Sequence, residues 1–237
     1  EVEYLIGHSE ARYVFAKDQE QVDKVLEVRA GLPRVERIIY WDDRGMWSYD
    51  DPLLMSYAEL EDLGRKLAAA EPDLFEQHID QGQGSDLAVL CYTSGTTGAK
   101  QKGVMLSQQW LIGNIQEWFK IDRWHESDDY LAYTPPAWAM EQAQGVAGAL
   151  IAGVTLNFPE EPETVQSDMR EIAPQYLFFS ARIWDAYAAS VQSKINESTA
   201  LKRALYHAFL PVGYRVANAR FRGKAPGPLD RALWALG

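Results

Sequence analysis

The sequence predicts an α/β fold: a largely parallel sheet flanked by helices. Short β-rich runs alternate with amphipathic helical runs of roughly 10–15 residues, as crossover units require. The run Leu87–Tyr92 (LAVLCY) is apolar without alternation, as a strand covered on both faces is. A loop rich in glycine and hydroxyl side chains follows it at once, where the carboxyl edge of such a sheet would present a ligand site.

Taken in order, Arg12–Ala16 (RYVFA) reads as the first strand. Asp18 is placed as an N-cap with Gln21 three residues on, and Val22, Val25 and Leu26 follow at helical spacing until Gly31. Arg37–Trp41 is a second strand, followed by an acidic, turn-rich segment. Ser56 and Glu59 form a capping box for a helix bearing Leu60, Leu63 and Leu67, which Pro72 ends. After the glycine-rich loop, Val104–Leu106 is a short apolar run, and Ser107 caps a helix carrying Leu111, Ile115 and Trp118. Tyr130–Tyr133 and Val154–Phe158 read as strands on either side of a glycine-containing helical stretch. Val165, Met169 and Ile172 mark a helix, Tyr176–Phe179 a strand, and from about residue 181 the pattern is helical. The expected division is therefore about 1–180 for the α/β units and about 181–237 for a helical, basic segment.

Composition narrows the function. The 237 residues carry a formal net charge of −11, which argues against nucleic acid as the main partner. Between Lys202 and the end, seven Lys and Arg face only Asp230; a solvated helical face, or a surface for anionic lipid or an acidic partner, all fit. The lone Cys91 lies in an apolar run and reads as a buried hydrophobe. No apolar stretch reaches the ~20 residues of a membrane span, the first residues lack a basic leader segment, and a cytoplasmic chain is expected, with peripheral contact at the inner membrane face as an option. His8, His78, His125 and His207 show no metal-ligand spacing. The chain reads as a piece of a longer protein.

The most informative segment is Tyr92–Gly103, YTSGTTGAKQKG. Such residues make a poor core and a poor helix, because glycine is entropically costly and short polar side chains compete for the backbone. Glycine-freed amides, hydroxyls and a lysine instead make a nest for phosphate oxygens. The spacing is not that of a Walker A loop, since Val104-Met105 stand where Lys-Ser/Thr is needed, nor is it a dinucleotide fingerprint.

TSGTTG followed by Lys-Gly resembles the phosphate loop of adenylate-forming enzymes. YLAYTPPAWAMEQ resembles the next motif of that superfamily, and the flanking segments HSEARYVFAKDQEQVDKVLEV and NFPEEPETVQSDMREIAPQYLFFSARIWDAYAASVQ extend the likeness over most of the chain. It is most similar to bacterial long-chain fatty acyl-CoA synthetases. The resemblance implies the incomplete N-terminal portion of an acyl-CoA synthetase-like fold, with the C-terminal domain absent. It implies a two-step ligase: a fatty acid and ATP give acyl-AMP, and coenzyme A then takes the acyl group, with Mg2+ assisting.

By position, Thr93, Ser94, Gly95, Thr96, Thr97, Gly98 and Lys102 would bind nucleotide phosphate, with Lys102 the catalytic lysine. Trp138 would lie near the acyl carboxylate, although an ordinary core tryptophan fits that position as well. Three residues, Ala99-Lys100-Gln101, stand where the family has two. Lys102 keeps its glycine neighbour and is preferred; Lys100 is the alternative. The family's Tyr-Gly-x-Thr-Glu segment and terminal catalytic lysine are not found, so no metal residue is assigned and this piece alone is expected to be inactive. A fatty acyl-AMP ligase that loads a carrier protein, or a noncatalytic nucleotide-binding module, are the other readings.

Overall fold

The computed structural model describes residues 1–93 and 101–235. The chain divides into two compact units, Glu1–Tyr176 and Leu177–Gly237. The first holds nearly all of the β structure and the second is helical.

The chain opens with helix α1 (Val2–His8), then strand β1 (Tyr13–Ala16) and helix α2 (Gln19–Glu27). Asp18 accepts from the backbone N–H of Gln21, which satisfies one of the four orphan donors of the helix start. The helix ends at Glu27, ahead of a short 3-10 turn over Arg29–Gly31. Strands β2 (Arg37–Tyr40) and β3 (Leu54–Ser56) complete a three-stranded parallel sheet, with Tyr13 opposite Arg37 and Ile38 opposite Leu54. Its core gathers Ala16, Val22, Val25, Leu32, Ile38 and Met46. Ile38 and Val22 are fully buried; truncating Ile38 to Ala would cost about 2–5 kcal/mol.

Ser56 and Glu59 form the expected capping box at helix α3 (Tyr57–Ala70). Its leucine face is not covered, however: Leu63 and Leu67 are exposed. Helix α4 (Leu74–Gln81), not among the elements expected from the sequence, follows.

The parallel arrangement holds in the first sheet but not beside the glycine-rich loop. Strand β4 (Leu87–Tyr92) pairs antiparallel with β5 (Gly103–Ser107), so the glycine-rich segment joins two strands of one hairpin. Ser107 then accepts from Trp110 N–H and starts helix α5 (Gln108–Phe119), which buries Leu111 and Ile115.

The third sheet has the order β7 (Thr155–Asn157), β6 (Asp129–Leu131), β8 (Tyr176–Leu177), with β6 and β7 parallel. Between β6 and β7 run a short helix α6 (Ala139–Glu141), a π-helical segment Gln142–Gly148, and helix α7 (Ala149–Ala152). Gly153, at φ 73°, turns the chain out of α7 in a left-handed conformation that favours glycine. Helix α8 (Val165–Ile172) leads to β8. In the second unit, α9 (Ala181–Asn196), α10 (Ala200–Phe221) and α11 (Pro228–Trp234) follow. No described helix is long and apolar enough to cross a membrane.

Candidate active site

The hairpin β4–β5 forms the neck of the glycine-rich loop. Tyr92 lies opposite Gly103, and one step further out Thr93 N–H donates to the Lys102 carbonyl at 3.0 Å. Lys102 N–H in turn reaches Thr93 Oγ1 at 3.4 Å. Both residues are exposed, and they flank the glycine-rich segment on its two sides. A Cβ on Gly103 would lie 2.9 Å from Leu90 Cδ1 and 3.4 Å from the Tyr92 ring, which is why the neck closes best with glycine there.

Helix α1 braces the neck from one side. Tyr4 donates its hydroxyl to the Gln101 carbonyl at 2.7 Å, and Gln101 Nε2 donates to Glu1 Oε1 at 2.6 Å. His8 Nδ1 and the Tyr92 hydroxyl share a hydrogen bond of 2.8 Å, their rings meeting edge-on at 5.6 Å. Burial, with Tyr4 close by, pushes the Tyr92 phenol above its ordinary range. Gln101, last of the three residues between the glycine loop and Lys102-Gly103, is thus tied to α1 through both backbone and side chain. Lys102 is the first residue of the hairpin's own pairing. Sequence reading did not assign Tyr4, His8 or Gln101; α1 is too short to show a period, and contacts over 84–100 residues leave no local signal.

A second feature follows β6. Tyr130 is 1% exposed and Glu141 4%, and the Tyr130 hydroxyl donates to Glu141 Oε2 at 3.0 Å. Thr134 donates its hydroxyl to the same oxygen. Burial, then the neighbouring carboxylate, raises the Tyr130 phenol far above its usual range, so it remains a donor at any ordinary pH. A Cβ at Gly145 would collide with Glu141 Oε1; glycine makes room for the carboxylate. At Gly148 a Cβ would meet Trp124 2.9 Å away, and Trp124 stacks on Tyr130 at 5.5 Å. Two close glycines in one π-helical stretch let that segment pack tightly against Glu141, Trp124 and Ile115, and such segments are frequent at functional sites.

The result is a cleft of about 360 Å³ bordered by Thr134, Pro135, Pro136, Glu141, Gly145 and Phe158, among others. Its walls are mostly apolar; Glu141 is a buried carboxylate held by two hydroxyls, and Glu160 and Glu161 also border the cleft. Among the described residues, Gln144, 1% exposed, has no hydrogen-bond partner for its amide nitrogen. Trp138 is half exposed in the turn that Trp138 N–H closes onto the Pro135 carbonyl at 2.9 Å.

Among the expected site residues, the structure therefore brings Thr93 and Lys102 together. Trp138 stands in the other feature and is not among the cleft's lining residues. Ser94, Gly95, Thr96, Thr97 and Gly98, with Lys100, lie outside the described residues. Glu141 was present in the motif but unassigned, and burial is what singles it out. No group of three or more His, Cys, Asp and Glu side chains suits a metal ion among the described residues.

Comparison with known proteins agrees with this architecture. The human (Homo sapiens) long-chain-fatty-acid–CoA ligase ACSBG2 is 25% identical over 240 residues, covering 96% of this chain and 34% of that protein. A carboxylic acid reductase of Mycobacterium tuberculosis is 30% identical over 247 residues, covering 98% of this chain and 19% of that protein. The luciferase-like enzyme of the mealworm Zophobas morio superposes with a TM-score of 0.55 at 18% identity, covering 75% of this chain and 38% of that one. The chain spans about a third of the length of the curated relatives it matches. The sequence profile described as AMP-binding enzyme matches residues 1–222, so the chain belongs to the AMP-binding enzyme family, of which it carries the N-terminal α/β part.

Proposed function

We propose that the protein carrying this chain activates a long-chain fatty acid with ATP and passes the acyl group to coenzyme A. The observation that supports this best is the paired neck of Thr93 and Lys102, set at the mouth of a TSGTTG loop in a member of the AMP-binding family. The acid's carboxylate oxygen attacks the α-phosphorus, and pyrophosphate leaves with the electron pair of the bond that breaks. Lys102 offsets the charge growing on that leaving group, and the loop amides and the Thr93 hydroxyl hold it in line. The coenzyme A thiol then attacks the acyl carbon; AMP departs and the thiol proton goes to solvent.

The apolar cleft beside Glu141 would take the first part of the acyl chain, with Trp138 at its approach. Magnesium is expected from the family, but the described residues hold no carboxylate cluster for it, and no step above depends on one. ATP, coenzyme A and a cytoplasmic setting follow from the same reading.

The kinship to a carboxylic acid reductase favours a second reading, in which the adenylate forms identically and a different acceptor consumes it. Pyrophosphate exchange by the intact protein across acids of increasing chain length tests the first step. Exchange that rises with chain length, with acyl-CoA formed when coenzyme A is added, is expected. Exchange without acyl-CoA selects the second reading. No exchange with any acid leaves a nucleotide-binding module.

A further inference from the structure

We infer that the C-terminal turn of α10 is a docking surface for an anionic phospholipid membrane, centred on a groove formed by Arg215, Asn218, Arg222 and Lys224. The groove holds about 340 Å³. Arg215, Asn218 and Arg222 recur at spacings of three and four on one helix face. Gly223, at φ 65°, ends the helix, and Lys224 N–H returns to the Ala219 carbonyl at 2.9 Å, which folds Lys224 back onto that face.

The ordinary reason for cations at a helix C-terminus is to satisfy its last carbonyls and its dipole. In α10 backbone groups already do much of that: Arg222 N–H bonds the Asn218 and Ala219 carbonyls, and Gly223 N–H the Arg220 carbonyl. Arg215 is spent on Asp230, at 2.7 Å, and holds that carboxyl below its usual range. Among the described residues, the side chains of Arg222 and Lys224 have no hydrogen-bond or ion-pair partner. Two free cations beside a concavity suit phosphate oxygens.

Charge and apolar side chains select the source of that phosphate. Residues 202–237 carry seven cations and one acid, in a chain whose net charge is −11. A nucleic acid gains little from exposed apolar side chains, and a net charge of −11 disfavours it as a partner. A lipid surface presents headgroups one at a time, and it also accepts apolar side chains between the cations. Phe221, 93% exposed between Arg220 and Arg222, is placed for that, and Leu229 and Trp234 are exposed in α11.

Sedimentation of the intact protein with phosphatidylcholine vesicles containing about a third phosphatidylglycerol tests the proposal. Binding should appear on these vesicles, be absent on pure phosphatidylcholine, and fall with salt. Each cation near an anionic surface is worth about fivefold in partitioning, so Arg222→Gln with Lys224→Gln should weaken binding roughly 25-fold. Helicity should be unchanged, because neither side chain supports the fold. The charge-matched pair Lys17→Gln with Lys66→Gln, in the first unit, should bind as before. Equal loss in both pairs, no loss in the α10 pair, or no binding to anionic vesicles would overturn the proposal. So would single-stranded RNA binding more tightly than the vesicles at equal salt, or inorganic phosphate saturating the groove at concentrations too low for screening.

Discussion

Thr93 and Lys102 face each other across the neck of the glycine-rich loop, joined by a backbone hydrogen bond of 3.0 Å and a longer contact from Lys102 N–H to Thr93 Oγ1. The pairing fixes where the loop begins and ends. Because the main-chain bond does not need the hydroxyl, Thr93→Val separates scaffold from chemistry. Stability should change by less than about 0.5 kcal/mol, as at most exposed positions. Pyrophosphate exchange should slow about tenfold, the worth of one hydrogen bond of roughly 1.5 kcal/mol. Urea unfolding together with exchange kinetics checks both; lost stability with unchanged exchange would make Thr93 a scaffold residue only.

Gly103→Ala tests the closeness of the neck itself. The added Cβ meets Leu90 at 2.9 Å and must push it aside, at an expected cost of about 1–3 kcal/mol in urea unfolding. A neutral result would mean that Leu90 yields freely and that glycine is not required there.

How far the sequence foretold these features depends on the range of the interactions involved. Asp18, Ser56 and Ser107 were legible as caps because each meets an amide three residues away. The glycine-rich loop was legible because its residue types suit nothing else. The strand partner of Leu87–Tyr92 was not, since an apolar run suggests a covered strand without naming its neighbour; in β4 only Cys91 is buried and Leu87 is exposed. β4 therefore sits in an antiparallel hairpin where a parallel sheet was expected. Glu141 stood in the motif, but its burial was hidden for a related reason: only the fold brings Tyr130 and Thr134 onto its oxygen.

That buried carboxylate should show non-additive energetics. Tyr130→Phe or Thr134→Val each leaves Glu141 short of a donor in a desolvated place, at about 1–3 kcal/mol. The double variant should differ from the sum by at least about 0.5 kcal/mol, since both donate to one oxygen. Additive losses in a urea double-mutant cycle would mean that the two hydroxyls act separately.

Cys91 supplies a pH prediction. Burial raises its thiol above the ordinary value, so the folded state disfavours the thiolate. Its contribution to stability is then full below the unfolded thiol pKa and is lost as pH rises through the folded one. Native protein near pH 8 should react with a disulfide reagent far more slowly than urea-unfolded protein. Equal rates would show an open thiol.

The role of Lys102 is tested most directly by fatty-acid-dependent pyrophosphate exchange in the intact protein, comparing Lys102→Ala with Lys100→Ala. If Lys102 neutralises the departing pyrophosphate, its loss should slow exchange roughly 10²–10³-fold, about 3–4 kcal/mol, with little change in fatty-acid binding. Lys100→Ala should cost under about 1 kcal/mol, as a solvated charge does. An inactive Lys100→Ala beside an active Lys102→Ala would reverse the assignment, and full activity in both would show that no lysine of this loop grips phosphate.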